Sequence, residues 1–244
     1  MLYQNYFEKV NDIMKDMQET QGKAIEKAAN LIADAIKKDG VLHVFGCGHS
    51  QMYAMEIFYR AGGLVPVNAI LTPALALAPK APLSTKGERI EGLAEDILNN
   101  EDTSENDVML VASTSARNAA PIEMAEAAKK KGMKVITLLS KDFAESVSSR
   151  HPSGKKTYHF ADVVLDNRGE SGDAVMEMDE LSTKFGPTSS IIGFTIIQAM
   201  VVQTVENLVK SGITPPIWVS SNLDEGDAIN KKHITKYRKK ISCL

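Results

Sequence analysis

Between Tyr3 and Ile36, apolar residues recur at three- and four-residue steps (Tyr3, Phe7, Val10, Met14, Met17, then Ile25, Ala28, Ile32 and Ile36). That is the stripe of an amphipathic helix, and Gly22 is the point at which it is expected to bend or divide. Short, nearly continuous apolar runs then alternate with helical patterns. Strands are predicted over 41–46, 64–71, 108–112, 135–139 and 161–165, and helices over 50–61, around 88–98, up to Lys131-Gly132, and over 187–210. Glycine suits the position just past a helix end. Continuously apolar strands separated by helices predict a parallel sheet covered on both faces, a three-layer α/β fold. The first helix precedes every strand and has no sheet of its own to cover, so it is expected to pack on another subunit. Segments 73–86 and 151–156 read as loops, 166–186 is rich in charge and glycine, and a helical tail covers 224–240. The whole chain is expected to form one domain: a helical segment over 1–38, a core over 39–212 and a tail over 213–244.

Composition narrows the classes of partner. The 244 residues carry 28 basic and 31 acidic side chains, a net charge of -3, which supplies no field to gather a phosphodiester backbone, so no nucleic acid is expected. Residues 1–21 carry charges every few positions and do not form a secretory signal, which predicts a cytoplasmic protein. The most apolar stretch, 191–202, is interrupted by Thr195 and Gln198 and is too short to cross a bilayer, so it is expected to be a buried helix, with no membrane partner. Two distant cysteines, Cys47 and Cys243, support neither a disulfide framework nor a zinc site. Cys47 is read first as a small side chain in a tight turn and second as a nucleophile.

In parallel sheets, ligands bind beyond the carboxyl ends of the strands. After the first strand stands Gly46-Cys47-Gly48-His49-Ser50. Its glycines let the backbone approach an anion, the following N–H groups point at it, and the Ser50 hydroxyl adds a donor. After the third strand, Ser113-Thr114-Ser115-Ala116-Arg117-Asn118 supplies hydroxyls, an amide and a guanidinium before another helix. Either turn alone is explained by helix capping; two at matching positions suggest a phosphate cradle.

These two loops, together with Lys131-Gly132-Met133-Lys134-Val135-Ile136-Thr137-Leu138, resemble the corresponding stretches of phosphoheptose isomerases within the SIS (sugar isomerase) family over roughly residues 41–210. The resemblance implies a three-layer α/β/α sandwich with a five-stranded parallel flavodoxin-like sheet and a long N-terminal helix. It implies a homodimer or homotetramer that binds a small phosphorylated sugar between subunits and uses neither cofactor nor metal. Ser50, Ser113 and Ser115 then correspond to phosphate ligands, with Gly46, Gly48, Thr114, Arg117 and Asn118 around them. Ala116 stands where the family commonly has glycine, and Asn118 where it has serine or threonine. Arg60 stands where phosphoheptose isomerases carry a glutamate, Glu56 stands at their histidine, and 187–210 contains no histidine.

Aldose–ketose isomerisation needs a base that moves a proton between neighbouring carbons and a group that helps open the ring. The candidates are Glu56, a carboxylate inside an apolar stretch; Glu88 and Glu91, placed at the start of a helix where acids also suit the dipole; and His49. Asp173, in the charged segment after the last strand, is expected to bind sugar hydroxyls; Asn222, Asp227 and His233 rank lower. The favoured activity is a phosphosugar isomerase. The alternatives are a non-catalytic phosphosugar sensor and a lyase or deaminase acting on amino-sugar phosphates.

Overall fold

In the computed structural model, which describes residues 1–244, five strands form one parallel sheet: β1 (Leu42–Gly46), β2 (Val67–Ile70), β3 (Val108–Ala112), β4 (Lys134–Leu139) and β5 (Val163–Asp166). Their order is β2-β1-β3-β4-β5, the flavodoxin-like arrangement, with Gly46 level with Ala112 at the ends of β1 and β3. The helices are α1 (Leu2–Lys37), α2 (Gln51–Ile57), α3 (Ala81–Gly87), α4 (Leu93–Asn99), α5 (Ala119–Lys130), α6 (Lys141–Ser146), α7 (Ser189–Lys210) and α8 (Gly226–Tyr237). Alternate strand residues feed two cores. Leu42, Val44, Leu110 and Leu138 meet α1, α2 and α7, while Phe45, Met109, Val111 and Val135 meet α4 and α5. Each fully buried Leu or Ile side chain contributes roughly 1.5–3 kcal/mol.

α1 differs from expectation in two ways. It runs unbroken through Gly22, because contacts on both sides hold it. The Gln21 amide oxygen accepts the Asp166 N–H at 3.0 Å, and Arg168 reaches from the end of β5 to both Asp16 and Asp166. It also covers its own sheet: Met17, Ala28, Ile32 and Ala35 are buried against α7 and the strands, and only the first turns overhang, with Leu2, Tyr3 and Phe7 exposed.

α7, at 22 residues, is apolar and long enough to cross a bilayer by composition, yet it lies along α1 over the sheet. Gly193 makes room for Tyr53 of α2: a Cβ there would sit 2.4 Å from the Tyr53 hydroxyl. Segment 166–186 is not simply loop, because β6 (Ala174–Met176) and β7 (Phe185–Pro187) pair antiparallel, and Tyr6 of α1 donates to the Pro187 carbonyl at 2.6 Å. The tail packs Trp218 and Tyr237 on Val41 and Val65, beside the amino ends of β1 and β2, the end of the sheet opposite Gly46.

Candidate functional site

The first loop begins where the chain reverses sharply. A Cβ on Gly46 would lie 2.3 Å from the Ser50 carbonyl oxygen, so only glycine fits, and Gly48 has φ +57°. A 3-10 turn, Gly48–Ser50, then leads into α2. Cys47 is buried here, and burial, followed by the charge of Glu88, pushes its thiol far above the ordinary range. Burial of this kind disfavours the thiolate, which favours the reading as a small side chain in a tight turn.

The second loop is a turn shaped by its backbone. The Ala116 N–H donates to the Ser113 carbonyl at 3.1 Å, and Ala116 takes φ +55°, which explains why glycine is common at this position. The N–H groups of Thr114, Ser115, Arg117 and Asn118 enter no backbone hydrogen bond and stand at the start of α5. Free N–H groups around a left-handed residue at a helix N-terminus form an anion nest.

Because β1 and β3 are neighbours, the two loops face one cleft of about 280 Å³. Gly48, His49 and Ser50 line one side, Ser113, Thr114, Ser115 and Asn118 another, and Ser84, Thr85 and Glu88 the third. Arg117 does not line the cleft. Glu88 follows the end of α3 rather than opening a helix: α3 starts at Ala81 with Pro82 in its first turn, where proline is tolerated, and so turns a segment read as loop into helix. Glu88 is half-buried, and burial raises its carboxyl above the usual range against the opposing effects of an Asn118 hydrogen bond and the charges of Arg89 and Arg150. Glu91 is exposed and lines no part of the cleft.

Beside this cleft lies a second hollow of about 270 Å³ that shares His49, Ser50 and Thr114 with it and adds Tyr53, Asp173, Ser189 and Ser190. The Asp173 carboxylate accepts the Ser189 N–H at 2.8 Å, the Ser189 hydroxyl at 2.5 Å and the Thr188 N–H at 3.2 Å, so it anchors the start of α7. The Tyr53 hydroxyl donates to the Ser189 carbonyl at 2.8 Å, and burial, then Asp173, raises its pKa.

Glu56 lies outside both hollows. Its carboxylate accepts from Arg60 at 3.1 Å and from Gln198 of α7 at 3.0 Å, which turns it away from the loops. Asn222 and Asp227 are exposed near the start of α8, and His233 packs on Trp218 at the far end of the sheet. Sequence reasoning missed Ser84 and Thr85, whose only signal was a Ser-Thr pair following a proline in what read as loop, and Tyr53, Ser189 and Ser190.

A model of the SIS domain matches residues 5–140. A UPF0309 protein of Geobacillus sp. (strain WCH70) is 39% identical over 243 residues, covering 100% of this chain and 98% of the relative. Another, from Halalkalibacterium halodurans, is 43% identical over 237 residues, covering 97% and 98%. Among solved structures, a phosphoheptose isomerase from Francisella tularensis aligns with a TM-score of 0.53 at 18% identity over 84% of this chain and 96% of that one. A phosphoheptose isomerase from Neisseria gonorrhoeae aligns with a TM-score of 0.50 at 18% identity over 86% and 97%. At such identities the likeness concerns the fold.

Proposed function

For this chain, which belongs to the SIS domain family and within it to the UPF0309 proteins, we propose an aldose–ketose phosphosugar isomerase. The observation that carries this reading is the half-buried Glu88 carboxyl, raised above its ordinary range, across one cleft from the Ser113–Ser115 turn and its free N–H groups. The phosphate lies in that turn, with the Ser50 hydroxyl approaching from the other loop. Glu88 removes the proton from the carbon next to the carbonyl, and the electron pair forms an enediol. It then returns the proton to the neighbouring carbon, while His49 moves the proton between the two oxygens. A base of raised pKa suits this work, because the same group must accept and release a proton near neutral pH.

Arg60 and the absence of histidine from α7, two departures from the phosphoheptose isomerases, favour a second reading as a phosphosugar sensor. A panel of hexose, heptose and amino-sugar phosphates, screened by thermal shift and then by NMR for conversion, decides between them. Aldose–ketose interconversion supports the isomerase; stabilisation without turnover leaves the sensor, and release of ammonia or loss of water indicates deaminase or lyase chemistry.

The same reading includes a homodimer. Met55 of α2, Tyr59 just beyond its end, and Ile191, Val202 and Val209 of α7 are exposed, while both helices otherwise pack in the core. An apolar face of this kind is suited to a second copy of the chain.

A further inference from the structure

We propose that the sugar phosphate carries a second anionic group, recognised by Arg89, Arg117 and Arg150 beside the cleft. This rests on the phosphosugar reading above and narrows its substrate class.

The three arginines come from separate segments that are all tied to the start of α5. The Glu88 carbonyl accepts the Ala120 N–H at 3.0 Å, and the Gly92 N–H lies 2.9 Å from each oxygen of the Glu123 carboxylate, which fixes the segment bearing Arg89. His151 Nε2 lies 3.5 Å from the same carboxylate. The Arg150 N–H donates to the Arg117 carbonyl at 2.8 Å, and Arg150 Nη1 donates to Asn118 Oδ1 at 3.2 Å. Asn118 is itself a wall of the cleft.

None of these guanidinium groups forms a direct ion pair, although the charges of Arg89 and Arg150 act on Glu88. No carboxylate lies within 4.0 Å of any of them, whereas Arg60 pairs with Glu56 and Arg168 with Asp16 and Asp166. Arg117 Nε is buried with no hydrogen-bond partner. Desolvation, then the charges of Arg117 and Arg89, hold the exposed Arg150 guanidinium below its usual range against the opposing charge of Glu88. The carboxylate facing the cluster is Glu88, and burial disfavours its charged form. Like charges kept together in a tied framework cost free energy, and an anion relieves that cost. Carboxylate and phosphate share the paired oxygens that a guanidinium fork recognises, so the substrate class is a phosphorylated sugar acid or a sugar bisphosphate.

Calorimetric titration of the full chain with glucose 6-phosphate, 6-phosphogluconate and fructose 1,6-bisphosphate tests this. The probes with a second anionic group are expected to bind about tenfold more tightly than glucose 6-phosphate. The variants Arg89→Gln and Arg150→Gln, both at exposed positions, are expected to erase that advantage and leave glucose 6-phosphate affinity within about twofold. The tighter of the two probes with a second anionic group identifies carboxylate or phosphate as that group. Equal affinity for all three probes, or equal losses for all three in the variants, overturns the proposal. Failure of every probe to bind, or a Ser113→Ala variant that binds all three as well as the wild type, instead overturns the phosphosugar reading and this inference with it.

Discussion

The carbonyl of Glu88 and the N–H of Ala120 are joined at 3.0 Å, which fastens the proposed base to the first turn of the helix that follows the serine loop. The proposed base and the proposed phosphate turn are therefore held in one frame rather than on independent loops, and proton transfer depends on such fixed geometry. Glu88→Gln keeps the shape and the backbone bond while removing the proton acceptor. Turnover is expected to fall about 10²–10⁴-fold with phosphosugar affinity within a few-fold, read as a loss in kcat without a matching change in Kd.

The same substitution has a pH signature in stability. A carboxyl whose pKa is raised on folding opposes the native state once it ionises. The penalty is absent below the unfolded carboxyl pKa of about 4.3, grows as pH rises through the raised folded value, and is complete above it. Glu88→Gln should therefore be more stable than the wild type at neutral pH, with the gap closing in acid. Denaturant melts from pH 3 to pH 8 check this, and a gap that widens in acid contradicts it.

Removing one hydroxyl from the proposed phosphate turn leaves its backbone intact. Ser113→Ala and Ser115→Ala are each expected to weaken phosphosugar binding by about 1.5–3 kcal/mol, the range for a hydrogen bond to a charged group, with little change in melting temperature. Calorimetry at fixed ionic strength measures the loss.

Two glycines separate what the pattern of residues revealed from what it misjudged. Gly46 was legible as part of a tight strand-to-helix turn, and a Cβ there would strike the Ser50 carbonyl. Gly46→Ala should cost about 2 kcal/mol or more and abolish phosphosugar binding. Gly22 was misjudged as a break. A Cβ there meets nothing within 4 Å, so Gly22→Ala should stabilise α1 by roughly 0.5–1 kcal/mol, seen as a rise in denaturation midpoint.

The remaining successes and misses follow the same physics. Alternating apolar runs gave the strands, and the neighbouring positions of β1 and β3 in the sheet brought the two loops together. Local composition carries that information. The third wall was hidden because Pro79 and Pro82 mark a loop unless a helix starts there, as α3 does. Glu56 was ambiguous because its direction depends on Gln198, 142 residues away. The hairpin of β6 and β7 is held partly by Tyr6, a contact that no local window contains.

Cys47 is buried and its thiol pKa is raised, whereas Cys243 is exposed. Iodoacetamide at pH 8 should therefore label Cys243 in the native protein and spare Cys47 until the chain unfolds. Mass spectrometry of the labelled peptides gives the answer; rapid labelling of Cys47 would restore it as a candidate nucleophile.

The exposed face of α7 makes the last prediction the most direct test of assembly. Val202 is 68% exposed in the middle of a helix whose opposite side carries Ile196, Ile197, Met200 and Val201 into the core. A charge at Val202 points into water in a lone chain and costs little, but in a dimer closed over this face it is buried against apolar side chains. Val202→Glu should therefore convert the proposed homodimer to a species with the mass of one chain in light scattering, while the melting profile of that chain keeps a cooperative transition. Unchanged mass in the variant would remove α7 from the interface, and a wild type that already runs as a single chain would remove the dimer.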